Sequence, residues 1–265
     1  MGAVVDSRTV DQFSDIRWRL NNLYYITDET GKHIPFRTNW AQEALLDDMW
    51  YLNVILKARQ LGFTTLLQLY MLDQCVFNSN IQAGTVAHNR EDAEDFFTKK
   101  IRYGYDHLPE GIRTRNPAKQ DSVRQLTFEN DSSIRVGTSL RSGTYQFLHV
   151  SEYGKLCAKY PEKAKEIKTG AFNTVHAGQV IWVESTAEGQ GGHFYEMCQE
   201  AQGMQRRGME LTSLDFKFHF FPWWRHPGYA LDPGRITYTQ SEVEYFDRLL
   251  EKHGISLTDK QRAGS

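Results

Sequence analysis

Apolar residues fall along this chain in two alternating kinds of run. The segments "LNVILKA" (52–58), "IQAGTVAH" (81–88), "QFLHVSE" (146–152) and "GQVIWVEST" (178–186) are short and largely apolar, as strands buried on both faces are. Between them lie longer segments with helical spacing. "NWAQEALLDDMWYL" (39–52) places Trp40, Ala44, Leu45 and Met49 on one face, and "TTLLQLYMLDQCVF" (64–77) is apolar nearly all round. "NREDAEDFFTKKIRYGYDHL" (89–108) opens with an Asn cap and an acidic first turn, which predicts a helix start. Further helices are predicted near 10–20, 160–175 and 191–205, a turn at "ETGKHIPF" (29–36), and a hairpin over 123–139 around "NDSS". Strands alternating with helices imply an α/β fold with a mainly parallel, doubly wound sheet. The pattern changes after about 210. "LDFKFHFFPWWRHPGYALDPG" is aromatic and broken by Pro and Gly, and an amphipathic helix follows at 241–254. The expectation is a core over 1–210, begun by an N-terminal helical extension, and a small lid or linker unit over 211–265.

Composition narrows the function classes. The 265 residues include 40% hydrophobic and 13% aromatic positions, enough for a real core. With 31 basic against 33 acidic side chains the formal net charge is -2, which excludes a uniformly basic nucleic-acid coat but not a local patch. The three cysteines are widely spaced, so buried thiols in a reducing compartment, the cytosol, are expected. No apolar run is long enough to span a membrane. The basic segments "KKIR" (99–102), "RTRNPAK" (113–119) and "KAKEIK" (163–168) are candidates for contact with nucleic-acid phosphates, or are ordinary solvated faces.

Candidate chemistry begins at "KARQLGFTT" (57–65). A phosphate loop reads G-x-x-x-x-G-K-[ST] between a strand and a helix. Gly62 and Thr64 are in place, but Phe63 stands where the lysine belongs and Lys57 where the first glycine belongs. The backbone of Lys57, Ala58, Arg59, Gln60, Leu61, Gly62, Phe63, Thr64 and Thr65 would cradle phosphates at a helix N-terminus, with the Thr64 hydroxyl on Mg²⁺. The bland alternative is a strand-to-helix turn that uses one glycine. Downstream, "FLHVSE" ends in Ser151, where an aspartate usually orders the metal's water shell, and Glu152, placed to polarise an attacking water. Thr64, Ser151 and Glu152 are the candidate metal residues. "ESTAEG" (184–189) puts Ser185 and Thr186 where a polar sensor of the γ-phosphate would sit. All three strand ends would meet at the carboxyl edge of one parallel sheet.

"KARQLGFTT", "RSGTYQFLHVSEYGK" and "WVESTAEGQGGHFYEM", in this order and spacing, resemble the large terminase subunit of tailed bacteriophages, over most of residues 35–200. The resemblance implies a P-loop NTPase fold of the additional-strand, catalytic-glutamate (ASCE) type. It implies an ATP- and Mg²⁺-dependent hydrolase that drives double-stranded DNA into a procapsid, in the host cytoplasm. The partners it implies are a portal protein, a small terminase subunit and copies of the chain itself in a ring. In that family the phosphate-loop lysine is often moved to the start of the motif, as Lys57 is here, and Arg59 is a second candidate cation. Glu152 matches the catalytic glutamate. Ser185, Thr186 and Ala187 match the motif that couples hydrolysis to movement, and Arg141 matches an arginine supplied to a neighbour's ATP. Within "NWAQ" (39–42), Gln42 matches the adenine-binding residue; Trp40 either stacks on the base or belongs to the core. Full-length members of the family resemble a fusion with a C-terminal nuclease, and the clustered carboxylates that a nuclease needs are not found after 210, so no nuclease activity is expected of this chain. A helicase-like ATPase and a non-hydrolysing nucleotide-binding scaffold are the alternatives. The first needs a second RecA-like domain, for which about 60 residues after 205 are too few.

Overall fold

The computed structural model describes residues 7–140, 143–172, 178–234 and 236–264, apart from the side chains of 7–10, 120 and 121. Its centre is an eight-stranded sheet in the order β10-β3-β9-β8-β4-β7-β6-β5. The strands are β3 (Leu52–Lys57), β4 (Gln82–Val86), β5 (Ala118–Ser122), β6 (Gln125–Phe128), β7 (Ser133–Gly137), β8 (Phe147–Ser151), β9 (Val180–Ser185) and β10 (Phe216–Phe221). From β10 across to β7 every pairing is parallel. Within this sheet, among the described residues, β7–β6 and β6–β5 are the antiparallel pairings. The predicted hairpin is β6–β7, and β5 adds a strand that the sequence pattern did not reveal.

Helices cover both faces. On one lie α2 (Ile16–Leu23), α3 (Trp40–Asp47), α4 (Phe63–Phe77) and α6 (Tyr103–Asp106), which share a core with Ile55 of β3 and Trp182 of β9. On the other, α8 (Tyr153–Lys159), α9 (Pro161–Thr169) and α10 (His193–Arg206) pack on Val54, Val150, Ile181 and Val183. Successive strand residues point to opposite faces, so a strand covered on both sides must be apolar at nearly every position, which is why these segments read as continuous runs.

The expected helix at 10–20 is two helices, α1 (Ser7–Ser14) and α2, broken at Asp15, which caps α2 through its side chain. The expected turn at 29–36 contains half of a small hairpin, β1 (Tyr25–Thr27) with β2 (His33–Pro35). The helix expected over 89–108 is α5 (Arg90–Phe96), a π-helical turn over Phe97–Arg102, and α6. The N-terminal extension is pinned to α4 by the buried Arg19–Asp73 ion pair at 2.6 Å, with Tyr24 donating to Asp73 at 3.2 Å.

The expected boundary at 210 needs correction. Residues 216–221 form β10, which pairs in parallel with β3 along its whole length, so the core sheet runs to Phe221. The aromatic, Pro-broken composition obscured an edge strand that packs on both β3 and α10. Beyond it, Phe246 and Leu249 of α11 (Gln240–His253) form a small apolar cluster with Leu257, which precedes α12 (Asp259–Ala263), and Trp223, Trp224 and Tyr238 pack against it.

Candidate functional site

The three strand ends singled out in the sequence are neighbours in space. Their order is β3, β9, β8, and all run parallel, so Lys57, Ser185 and Ser151 end up along one carboxyl edge. Such an edge is where open α/β sheets bind ligands.

The loop from Lys57 to Gly62 is shaped for a compact anion. Gln60 and Gly62 both adopt left-handed backbone, at φ 59° and 70°. Gly62 is the N-cap of the 15-residue α4, and no side chain caps that helix. The first N–H groups of α4 are therefore open to a ligand. Phe63 explains why the lysine is not at the usual place. It is 1% exposed, and its ring lies 4.7 Å from that of Phe221, so this position points into the core. A charge there would be buried without a partner.

Lys57, at the start of the loop, carries a buried charge. Its Nζ lies 3.1 Å from Glu184 Oε2 and 3.3 Å from Glu152 Oε1. Burial pushes the Lys57 pKa down, but the two carboxylates outweigh it and hold the ammonium charged. Glu152 is raised above its ordinary value, first by burial and then by the like charge of Glu184, with Lys57 opposing both. It also sits in left-handed backbone at φ 52°, without being glycine. Strain of that kind persists where surrounding structure enforces it, and it clusters at active sites.

Sequence reasoning missed Glu184. It is fully buried at the end of β9. Burial alone would raise its pKa; Lys57, His149 and Ser151 overcome this and hold it ionised, below the usual carboxylate range. Ser151 Oγ donates to Glu184 Oε1 at 2.8 Å, Thr64 Oγ1 donates to the same oxygen at 3.4 Å, and His149 Nε2 lies 3.4 Å from it. A buried relay runs on through His149 Nδ1 to Gln68 Nε2 at 3.0 Å and Thr85. The signal was a carboxylate inside an otherwise apolar strand, which burial tolerates only with a partner.

The remaining candidates divide. Ser185 is fully buried, Thr186 half-buried and Ala187 exposed. A Cβ on Gly154 would come within 2.8 Å of Ser185 Oγ, so the close packing of α8, which follows Glu152, on Ser185 uses a glycine there. Arg59 and Gln60 are exposed on the loop, and Leu61 is buried. Arg141 lies outside the described residues. Gln42 is not presented for adenine. Its Oε1 accepts from Asn39 N at 3.0 Å in a capping box, and its Nε2 donates to Gly62 O at 2.8 Å. Both ends of its amide therefore brace α3 against the phosphate loop. Trp40 packs 6.2 Å from Phe221, with the Arg225 guanidinium over its ring at 5.7 Å. Of the basic segments, Lys99 is paired with Asp95 at 2.6 Å and Lys163 donates to the His88 carbonyl at 2.7 Å.

Beside the loop opens a cavity of about 340 Å³, lined by Lys57, Arg59, Thr186, Trp224 and Tyr229 among others. Among the described residues no group of three or more acidic, His or Cys side chains forms a ready metal cage, and no helix is long and apolar enough to cross a membrane.

No protein-family model and no curated protein matches the sequence. Solved structures do. The ATPase domain of the large terminase of Thermus phage P74-26 aligns over 93% of this chain and 92% of its own, at 13% identity and a TM-score of 0.53. The large terminase of bacteriophage HK97 aligns over 95% of this chain at 13% identity and a TM-score of 0.58. This chain spans half the length of that protein, 50%. The fold is therefore the mainly parallel α/β architecture of large terminase ATPase domains with a phosphate loop.

Proposed function

We propose that this chain is an ATP hydrolase that powers the packaging of double-stranded viral DNA, working in the host cytoplasm as one subunit of a ring on a portal protein and loaded by a small terminase subunit. The observation that carries this reading is the convergence of a phosphate-shaped loop, a buried lysine and a strained glutamate on one sheet edge, in a fold shared with terminase ATPase domains.

In this reading the nucleotide's phosphates lie on the N–H groups of 58–65, and Lys57 turns from the carboxylates to the phosphate oxygens. A charge-assisted contact of that kind contributes about 1.5–3 kcal/mol. Glu152, released from Lys57, accepts a proton from the attacking water or orients it. The donor set suits a divalent cation. Thr64 offers a hydroxyl, and Ser151 and Glu152 supply oxygens nearby. When bound, Mg²⁺ neutralises charge on the phosphates. Ser185, the last residue of β9, and Thr186 after it register whether the γ-phosphate is present, and the Gly154 contact passes this to α8. Arg141 is assigned, from its sequence context alone, to a neighbouring subunit's ATP.

A second reading, a nucleotide-binding scaffold without hydrolysis, draws on the pairing of Lys57 with both carboxylates. Phosphate release from ATP by the purified chain, with and without double-stranded DNA, separates the two. The motor reading predicts turnover that DNA increases; nucleotide binding with no release under either condition supports the scaffold.

A further inference from the structure

Phosphate-loop ATPases usually place an aspartate where this chain has Ser151, and a serine hydroxyl carries no charge to order a cation's water shell. The parallel register of β8 and β9 sets Ser151 directly beside Glu184, so both side chains rise from the same face at the same height. Ser151 Oγ donates to Glu184 Oε1 at 2.8 Å, and Thr64 Oγ1, the hydroxyl expected on the cation, donates to that same oxygen at 3.4 Å. The other oxygen, Oε2, is buried and faces Lys57 at 3.1 Å, but accepts no well-directed hydrogen bond from the described residues.

We propose that Glu184, one strand away, supplies the carboxylate that Ser151 lacks, and that the Ser151–Glu184 pair together holds the hydration shell of the divalent cation bound with nucleotide. The inference rests on the nucleotide reading above. Its physical basis is that the two positions are register partners, so a charge moved from one to the other stays on the same oxygen-rich spot beside Thr64. His149 Nε2 lies 3.4 Å from that same Oε1, within the reach at which outer partners orient metal-site ligands elsewhere. A fully buried Glu184 kept only as a counter-ion to Lys57 would need neither the Thr64 nor the Ser151 contact, since Glu152 already pairs with the same ammonium. Lys57 then has a defined alternative position. With phosphates present it moves to them, and the carboxylate it leaves faces the cation.

The test is calorimetric titration of a non-hydrolysable ATP analogue into the full chain, in chelator and in Mg²⁺, with Mn²⁺ electron paramagnetic resonance reporting bound metal. In the native chain Mg²⁺ tightens nucleotide binding. Glu184→Gln, nearly isosteric, should lose about tenfold or more of that metal-dependent gain, the usual scale for residues that orient a metal's ligands. The transposed variant Ser151→Asp with Glu184→Gln keeps the charge count, so it also serves if the single variant does not fold. It should regain the gain to within about threefold, on the same scale. Native metal dependence and native Mn²⁺ binding in Glu184→Gln would reduce Glu184 to a counter-ion, and a folded transposed variant without metal dependence would also overturn the proposal. A native chain that binds no analogue with or without metal would instead refute the nucleotide reading itself.

Discussion

Replacing Lys57 by Met removes a charge but keeps much of the side chain's volume. In the chain without nucleotide this leaves Glu184 fully buried and Glu152 beside it, with no cation between them. Breaking a buried ion pair from one side typically costs about 3–5 kcal/mol, because an uncompensated charge stays in the interior. The Lys57 side chain is 8% exposed, so solvent screening relieves little of this. A cost of that size is a large fraction of the stability of a typical domain. Removing the second charge should restore most of the loss, so Lys57→Met with Glu184→Gln should recover about 2 kcal/mol or more over the single variant. The six tryptophans make urea unfolding followed by fluorescence the direct assay. A loss under about 1 kcal/mol for Lys57→Met, or no recovery in the double variant, would refute the view that Lys57 is the charge at the centre of the site.

Other outcomes follow from the same structure. Asp73→Ala strands the Arg19 guanidinium under the N-terminal helices, and urea unfolding should record a loss of about 3–5 kcal/mol, against near-native stability if the pair is ornamental. Gly154→Ala drives a Cβ to 2.8 Å from Ser185 Oγ and should cost about 1–3 kcal/mol; an unchanged melting temperature would mean that α8 and β9 are not in firm contact. His219 is buried on β10, and burial pushes its pKa down to about 4, with Asp48 opposing and Lys217 adding to the shift. The unfolded chain therefore takes up the proton first, so stability falls with pH below about 6.5, by about 2 kcal/mol at pH 5. His219→Gln should flatten that part of the urea-midpoint profile against pH, and an unaltered slope would assign it elsewhere.

What the sequence made legible follows burial. β3, β8 and β9 read clearly because strands covered on both faces are apolar at most positions, and the loop after β3 was marked by Gly62 and Thr64. β10 was hidden because it lies at the sheet edge, where Lys217 and His219 interrupt its apolar run before Pro222 and the tryptophans. Gln42 was read as a base-binding amide, since a sequence does not show that both its ends are held by Asn39 and Gly62. Glu184 went unread as part of the site because attention fell on the hydroxyls after it, whereas register across three strands, which no local pattern carries, is what brings it to Ser151 and Lys57.

The central claim is that this sheet edge hydrolyses ATP with Glu152 as the residue that activates water. Glu152→Gln keeps the phosphate loop and Lys57, so equilibrium titration should give nucleotide affinity within about threefold of native, while steady-state phosphate release falls by about two orders of magnitude or more, the scale of a lost general base. Hydrolysis by Glu152→Gln at the native rate, or a native chain that binds no ATP, would contradict the account.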